Sequence, residues 1–216
     1  MRYVPSDKYT IAWFKLAECV AKGEKEKAFG VYRLLMHSFD DQAYAYQLEG
    51  DLLGAFQDQR AIEKYAHAAH LYAQNNRFKE AATLYHDLIA MAPDDKHHII
   101  RLIEVYKKHK SHDVLIAKLA GLADNLVEQN RPLHAIIIAR ELEEMSHQNA
   151  ATSIYIQSIL HLSKNNEVSG IEDQVAHAIH YLTKQGDAHQ LQNLLSVLEQ
   201  TNAMWYKHVK KLLHNI

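Results

Sequence analysis

The feature that most limits how this chain can fold is its apolar spacing, which keeps a helical period almost from end to end. One clear instance follows the i, i+3, i+4, i+7 rhythm of a single helix face: Phe78, Ala81, Ala82, Tyr85, Leu88, Ile89 and Ala92. No segment alternates apolar and polar residues with the period of two that is typical of a half-buried strand. The 216 residues include only seven Gly and three Pro, fewer turn residues than a β-sandwich or barrel needs. The sequence therefore predicts an all-α protein.

Short polar residues interrupt this pattern and mark the ends of the predicted helices. Asp41 and Asp58 are typical helix N-caps, because their side chains accept hydrogen bonds from free N–H groups of the first turn. Pro132 suits a first helical position, where its missing N–H costs nothing. The breaks predict about twelve helices, over residues 8–22, 25–38, 42–55, 59–74, 77–92, 95–109, 112–129, 132–146, 150–163, 171–185, 188–200 and 203–214. Because most links are short, we expect neighbouring helices to form antiparallel hairpins.

Residues 62–95 carry a regular pattern of small and aromatic side chains. The pattern consists of Tyr65, Ala68, Ala69 and Tyr72 in the first half and Ala81, Tyr85 and Pro93 in the second. Small residues let two helices approach closely, and the rings fill the space beside them. Weaker copies begin near Trp13, Ala45, Leu119 and Val175, so that the repeat is clear over residues 9–147 and present in outline beyond.

These intervals resemble those of the tetratricopeptide repeat (TPR) family. The resemblance implies a right-handed α-solenoid of about six antiparallel helical hairpins, in which each hairpin covers the apolar face of its neighbour. We expect a TPR-like array over residues 1–163, followed by divergent C-terminal hairpins with a capping helix over residues 164–216. The family uses its concave groove to hold a peptide or helix of another protein. The resemblance thus implies a non-catalytic protein–protein interaction scaffold or adaptor.

The residues expected to line that groove depend on the phase of the repeat. The helix over residues 59–74 matches the second-helix pattern after Ala45 and the first-helix pattern through Tyr65, and it belongs to one layer only. Counting from Trp13 gives Phe14, Glu18, Tyr46 and Gly50 as the partner-binding residues. The competing phase gives Glu63, His70 and Gln74 instead. Both phases remain open at this point.

Histidine is unusually abundant, with sixteen residues. Three pairs stand at i, i+3 and share a helix face: His67/His70, His109/His112 and His177/His180. Each pair has the spacing of two zinc ligands, but a closed site needs four, and the sequence has no cysteine cluster or His-Glu-x-x-His motif. We therefore expect no catalytic residues, no metal and no cofactor. The alternative is a metal-dependent or histidine-based enzyme in a helical bundle, in which one pair meets another His, Asp or Glu across helices.

Charge and composition narrow the choice of partners. The net charge of −2 argues against a generally basic nucleic-acid binder, so we expect no nucleic-acid partner. No apolar run approaches the roughly 18 residues of a membrane span. A single cysteine, Cys19, excludes a disulfide within the chain and suits a reducing cytoplasm, and the first residues lack a signal-peptide core. We expect a cytoplasmic protein whose partner is another protein, with self-association as a further possibility.

The last predicted helix carries an apolar stripe of Trp205, Val209, Leu212 and Leu213 between lysines. We expect this helix to cap the solenoid through its stripe. A helix that docks on a partner or on a membrane surface is the alternative.

Overall fold

The computed structural model describes residues 7–37, 39–109, 112–165, 170–185 and 188–214. Within these ranges all the regular secondary structure is helical. The twelve helices are α1 (Asp7–Ala21), α2 (Lys25–Met36), α3 (Gln42–Ala55), α4 (Arg60–Gln74), α5 (Phe78–Met91), α6 (Lys96–His109), α7 (His112–Glu128), α8 (Pro132–Glu144), α9 (Gln148–Lys164), α10 (Glu172–Lys184), α11 (Ala188–Thr201) and α12 (Ala203–His214). The all-α fold is confirmed, and each predicted helix boundary lies within two residues of the observed one.

The chain divides into two compact units, one with α1 to α6 and the other with α7 to α12. In the first unit the extensive contacts join consecutive helices. In the second unit helices two apart also pack together: α7 with α9, α8 with α10, α9 with α11, and α10 with α12. These contacts fit the predicted solenoid of helical hairpins. The proposed division into residues 1–163 and 164–216 stays a prediction.

In the first unit, polar contacts join the starts of helices that lie two apart. Lys25 Nζ, at the start of α2, lies 2.7 Å from Asp58 Oδ2, just before α4, and the two residues are 33 positions apart. The Arg77 guanidinium before α5 pairs with the carboxylate of Asp41 before α3, 36 positions earlier. Corresponding positions therefore recur at a spacing close to the predicted repeat.

The second unit has contacts of the same kind. His177 Nε2 on α10 lies 3.0 Å from Glu143 Oε2 on α8, 34 positions earlier. Asn165 Nδ2 after α9 donates to Asn130 Oδ1 after α7 at 2.7 Å, over 35 positions. The repeat thus extends into the part of the chain where the apolar pattern is weak.

Five hairpin turns share one backbone geometry. Each has a residue with positive φ after the helix: Gly23, Gln57, Asn76, Asn130 and Ser146. In each turn the N–H of the next residue donates to a carbonyl five positions earlier, as from Asp58 to Leu53 at 2.9 Å and from Arg77 to Tyr72 at 2.8 Å. This is the Schellman pattern, which satisfies carbonyls that the helix end leaves free. The same short turn therefore sets the geometry of several hairpins, although four of the five lack glycine.

The core uses small residues as the repeat pattern predicts. Ala68, Ala69 and Ala81 are fully buried, and Tyr72 and Tyr85 are buried beside them. Among the described glycines, Gly50 of α3 has the least space for a side chain, since an added Cβ would lie 2.7 Å from Cδ1 of Tyr65 on α4. The contact between α3 and α4 therefore depends on the missing side chain of Gly50.

Candidate functional site

The first unit has a groove between α2 and α4, with part of α3 as its floor. We call it the α2–α4 groove; its volume is about 510 Å³. It is lined by Lys25, Glu26, Phe29, Tyr32, Arg33, Met36, Glu49, Leu53, Arg60, Glu63 and Lys64. It exists because α3 packs against both α2 and α4, whereas these two helices, as far as they are described, have no extensive contact with each other.

The floor of the groove is apolar, and α2 contributes to it as well as α3. Phe29 and Met36 of α2 and Leu53 of α3 line it beside Tyr32, whose ring meets that of Phe29 edge-on. The Tyr32 hydroxyl donates to the carbonyl oxygen of Ala45 at 3.0 Å. Burial, together with the nearby negative charge of Glu49, raises the pKa of Tyr32 to about 12. Tyr32 is therefore neutral at physiological pH and serves to join α2 to α3.

Several charges at the groove are already paired. Asp58 accepts from Arg60 Nη2 at 2.6 Å and from Lys25 Nζ at 2.7 Å. These hydrogen bonds hold the pKa of the Asp58 carboxyl well below its usual range. Lys64 Nζ lies 3.1 Å from Glu49 Oε1. Of these three ion pairs, Lys25–Asp58 joins α2 to the start of α4, and Lys64–Glu49 joins α4 to α3.

Substituting Asp58 by Asn is expected to change how stability depends on pH. A carboxyl whose folded pKa is lowered contributes stability above its unfolded pKa, about 3.9, and that contribution is lost as the pH falls towards the folded value. We therefore expect Asp58→Asn to lower the free energy of unfolding at pH 7, and the difference from the native chain to shrink below about pH 4. Urea unfolding followed by circular dichroism from pH 7 to pH 2.5 measures this difference. The exposed Asp94 provides the control substitution to Asn, and a difference that stays constant across the range would contradict the role given to Asp58.

The residues predicted from the Trp13 phase have different environments. Phe14 is 74% exposed on α1, and Glu18 is exposed and pairs with Lys22 at 2.5 Å. Tyr46 is half-buried, with its ring stacked on that of His67 at a centroid distance of 5.3 Å. Gly50 is buried against Tyr65. Tyr46 and Gly50 thus lie in the contact between α3 and α4.

The residues of the competing phase all lie on α4. Glu63 is exposed and lines the α2–α4 groove. His70 and Gln74 are exposed, and Gln74 Nε2 lies 2.9 Å from His70 Nε2. Of the predicted partner-binding residues, Glu63 is therefore the one that the described structure brings to the groove. The α2 side of the groove was missed, although Phe29, Tyr32, Arg33 and Met36 follow a helical spacing.

The histidine pairs have different surroundings, with His67 and His70 on α4 and His177 and His180 on α10. His67 stacks on Tyr46, and the side chains of His109 and His112 lie outside the described residues. His177 meets Glu143, whose Oε2 also accepts from the hydroxyl of the fully buried Tyr155 at 2.8 Å. Burial, with the nearby Glu143 carboxylate, raises the pKa of Tyr155 far above its usual range. In the part of the chain that the structure describes, no group of three or more His, Cys, Asp or Glu side chains is placed to hold a metal ion.

The last helix packs through its apolar stripe. Trp205 and Val209 are buried, and Leu212 and Leu213 are half-buried, while α12 contacts α10 and α11. The stripe is therefore used inside the second unit. Among the helices described, none is long and apolar enough to span a bilayer.

A second groove lies between α9 and α11 and has a volume of about 290 Å³. Its lining consists of Ser153, Ile156, Gln157, Leu160, Gln190, Asn193, Leu194 and Val197. These side chains are aliphatic, hydroxyl or amide in character and carry no ionisable group. The two grooves thus differ in chemistry, since the α2–α4 groove is rich in charge.

No protein-family model matches the chain, and no curated protein matches it at a significant level.

Proposed function

We propose that this chain is a non-catalytic, TPR-like adaptor of the cytoplasm that binds a peptide or helix of another protein in the α2–α4 groove. The observation that carries the proposal is the groove itself, an apolar floor between charged walls in a stack of helical hairpins. Its volume of about 510 Å³ lies within the range of about 300 to 1,000 Å³ that is typical of ligand sites.

We also propose that the helical repeat is of the TPR type. It is supported by the intervals between Tyr65 and Pro93 and by the contacts between the starts of helices at spacings of 33 and 36 residues. The buried alanines and tyrosines fit the same repeat.

A pair of matched substitutions tests the groove. Met36 is the last residue of α2, is 39% exposed and lines the groove; Met91 is the last residue of α5 and is 43% exposed, away from the groove. A glutamate at position 36 places a charge on the apolar floor, whereas Met91→Glu makes the same chemical change elsewhere. We expect the native chain and Met91→Glu to capture the same partner from a lysate, and Met36→Glu to capture at least tenfold less.

Circular dichroism spectra of the two variants must match that of the native chain for this comparison to hold. Equal capture by both variants would contradict binding in the groove. Capture is quantified by mass spectrometry of the bound proteins.

A second candidate function is the metal-dependent or histidine-based enzyme. One observation favours it, namely that His177 on α10 meets the Glu143 carboxylate on α8 at 3.0 Å. Elemental analysis of protein purified without an affinity tag separates the two candidates. Stoichiometric zinc, iron or manganese would favour the enzyme over the adaptor.

A further inference from the structure

The length of the α2–α4 groove suits a short helix. The residues of α2 that line it run from Lys25 to Met36 along one face. At about 1.5 Å per residue they cover about 16 Å, which is three helical turns. An occupant of about three turns would thus contact both walls over the whole length.

The polar groups of the groove argue against an extended occupant. An extended peptide brings N–H and C=O groups that need partners when they lose water, whereas a helix satisfies its own. Amide and hydroxyl side chains suit such a backbone because each can both donate and accept, whereas carboxylates only accept and Lys and Arg only donate. Among the described residues that line the groove, Tyr32 alone has one, and its hydroxyl is already bonded to Ala45. The α9–α11 groove, with its amides and hydroxyl, has the opposite character.

The two ends of the groove carry opposite charge. At the end formed by the starts of α2 and α4, Lys25 and Arg60 share Asp58, while Glu26 and Glu63 are exposed. Carboxylates therefore outnumber cations by one at this end. The ion pairs described at this end, Lys25–Asp58, Arg60–Asp58 and Lys64–Glu49, include neither Glu26 nor Glu63, and Arg60 interacts with the charge of Glu26 only at longer range.

Further along the groove the net charge of the lining becomes positive. Lys64, which follows Glu63 on α4, is neutralised by Glu49, so this pair does not change the charge of the first end. Beyond it on α2, the exposed Arg33 adds a positive charge without an ion-pair partner among the described residues. Seven residues, or about 10 Å, separate Arg33 from Glu26 along α2. This separation corresponds to two turns of an occupying helix.

We infer that the α2–α4 groove binds an amphipathic helix of another protein, with its apolar face on Phe29, Met36 and Leu53. A basic residue of that helix lies at the Glu26 and Glu63 end, and an acidic residue about two turns away lies at Arg33. The inference rests on the proposed function and specifies its partner. Charge complementarity at the two ends sets the direction in which the helix lies.

Selection from a displayed library of random 20-residue peptides tests this inference. The full chain serves as the target, and Met36→Glu removes peptides that bind elsewhere. We expect enriched peptides with apolar residues at i, i+3 or i+4, and i+7, with Lys or Arg towards one end and Asp or Glu towards the other. Circular dichroism should show helix formation when such a peptide binds.

A charge reversal at Glu63 tests the orientation. Glu63→Arg should weaken binding of a selected peptide at least tenfold, and reversing the basic residue of the peptide to Glu should restore it. Glu128→Arg, at an exposed position on α7, is the control and should leave the affinity unchanged. An unchanged affinity for Glu63→Arg would overturn the inference.

The outcomes separate the inference from the function on which it rests. Enrichment of proline-rich peptides that need Met36 and form no helix on binding would contradict the helical occupant but support peptide binding in the groove. Enrichment of peptides that bind the native chain and Met36→Glu equally would overturn both.

Discussion

Truncating Trp205 to Ala is expected to lower the free energy of unfolding of the second unit by about 3–5 kcal/mol. Trp205 is fully buried, with a relative exposed area of 0%, and it is the largest of the fully buried side chains. Truncation of a buried Trp or Phe to Ala removes apolar contact and leaves a cavity, which together cost about this much. Because whole domains are stable by only about 5–15 kcal/mol, the second unit should lose a large part of its stability.

The position of Trp205 explains why its truncation should destabilise more of the second unit than α12 alone. Its backbone N–H donates to Asn202 Oδ1 at 3.2 Å, and Asn202 Nδ2 donates to the carbonyl oxygen of Ser163 at 2.7 Å. The start of α12 is thereby joined to the end of α9. Loss of the indole loosens a helix that also packs on α10 and α11.

Urea unfolding, followed by the circular dichroism of the helices at 222 nm, measures the change in the free energy of unfolding. Trp13, in the first unit, is the one tryptophan left in the variant, so its fluorescence follows the first unit separately. Met204→Ala is the control, because Met204 is 48% exposed beside Trp205 and should change stability by no more than about 0.5 kcal/mol. A loss below about 1 kcal/mol for Trp205→Ala would contradict the central position of the indole.

Replacing Gly50 by Leu is expected to destabilise the first unit by about 2–3 kcal/mol. Helix propensity alone predicts that Gly50→Leu stabilises the unit, since Leu is a better helix former than Gly by about 0.5–1 kcal/mol. The steric effect wins, because even a Cβ would lie 2.7 Å from Cδ1 and 3.1 Å from Cγ of Tyr65. The Tyr65 hydroxyl also donates to Asp51 Oδ1 at 2.9 Å, so the ring is held in place. Overpacking of this kind costs about 1–3 kcal/mol or more.

Gly30 offers the matched control for this substitution. It lies inside α2 in the same unit, and an added Cβ would meet no atom within 4 Å. Gly30→Leu should therefore raise the free energy of unfolding by about 0.5–1 kcal/mol, opposite in sign to Gly50→Leu. Urea unfolding followed by circular dichroism at 222 nm measures both.

Removing the Tyr65 ring completes the test. If the clash is with Tyr65, Gly50→Leu should cost less in a Tyr65→Ala background than in the native chain, with a coupling of at least about 1 kcal/mol. Purely additive effects would place the cost of Gly50→Leu elsewhere in the contact between α3 and α4.

The helices themselves followed from local sequence. Their boundaries were predictable within two residues because apolar spacing acts between near neighbours. Asp41 caps α3 as predicted by accepting from the Tyr44 N–H, whereas the N-cap of α4 is Gln59 and Asp58 accepts from the Arg60 N–H beside it. Residue 38, the predicted end of the second helix, lies outside the described residues. The buried positions of Ala68, Ala69 and Ala81 also followed from the repeat, because a small residue at a helix contact has the same effect in each hairpin.

The α2–α4 groove could not be read from the chain in this way. Phe29 and Met36 follow the same spacing as core residues, and what leaves them beside a groove is that α2 and α4 both pack on α3 instead of on each other. Likewise, the sharing of Asp58 by Lys25 and Arg60 joins residues up to 33 positions apart. A linear pattern reports which residues share a helix face but not which face a distant helix covers.

The amino-acid sequence by itself therefore determined where each helix begins and ends and which small residues allow close packing, because these depend on interactions between near neighbours. Only the tertiary structure decided that Gly50 lies against Tyr65, that Glu63 faces a groove and that Trp205 is enclosed by the second unit. These outcomes depend on distances between helices that are far apart in the chain, and packing in three dimensions sets those distances.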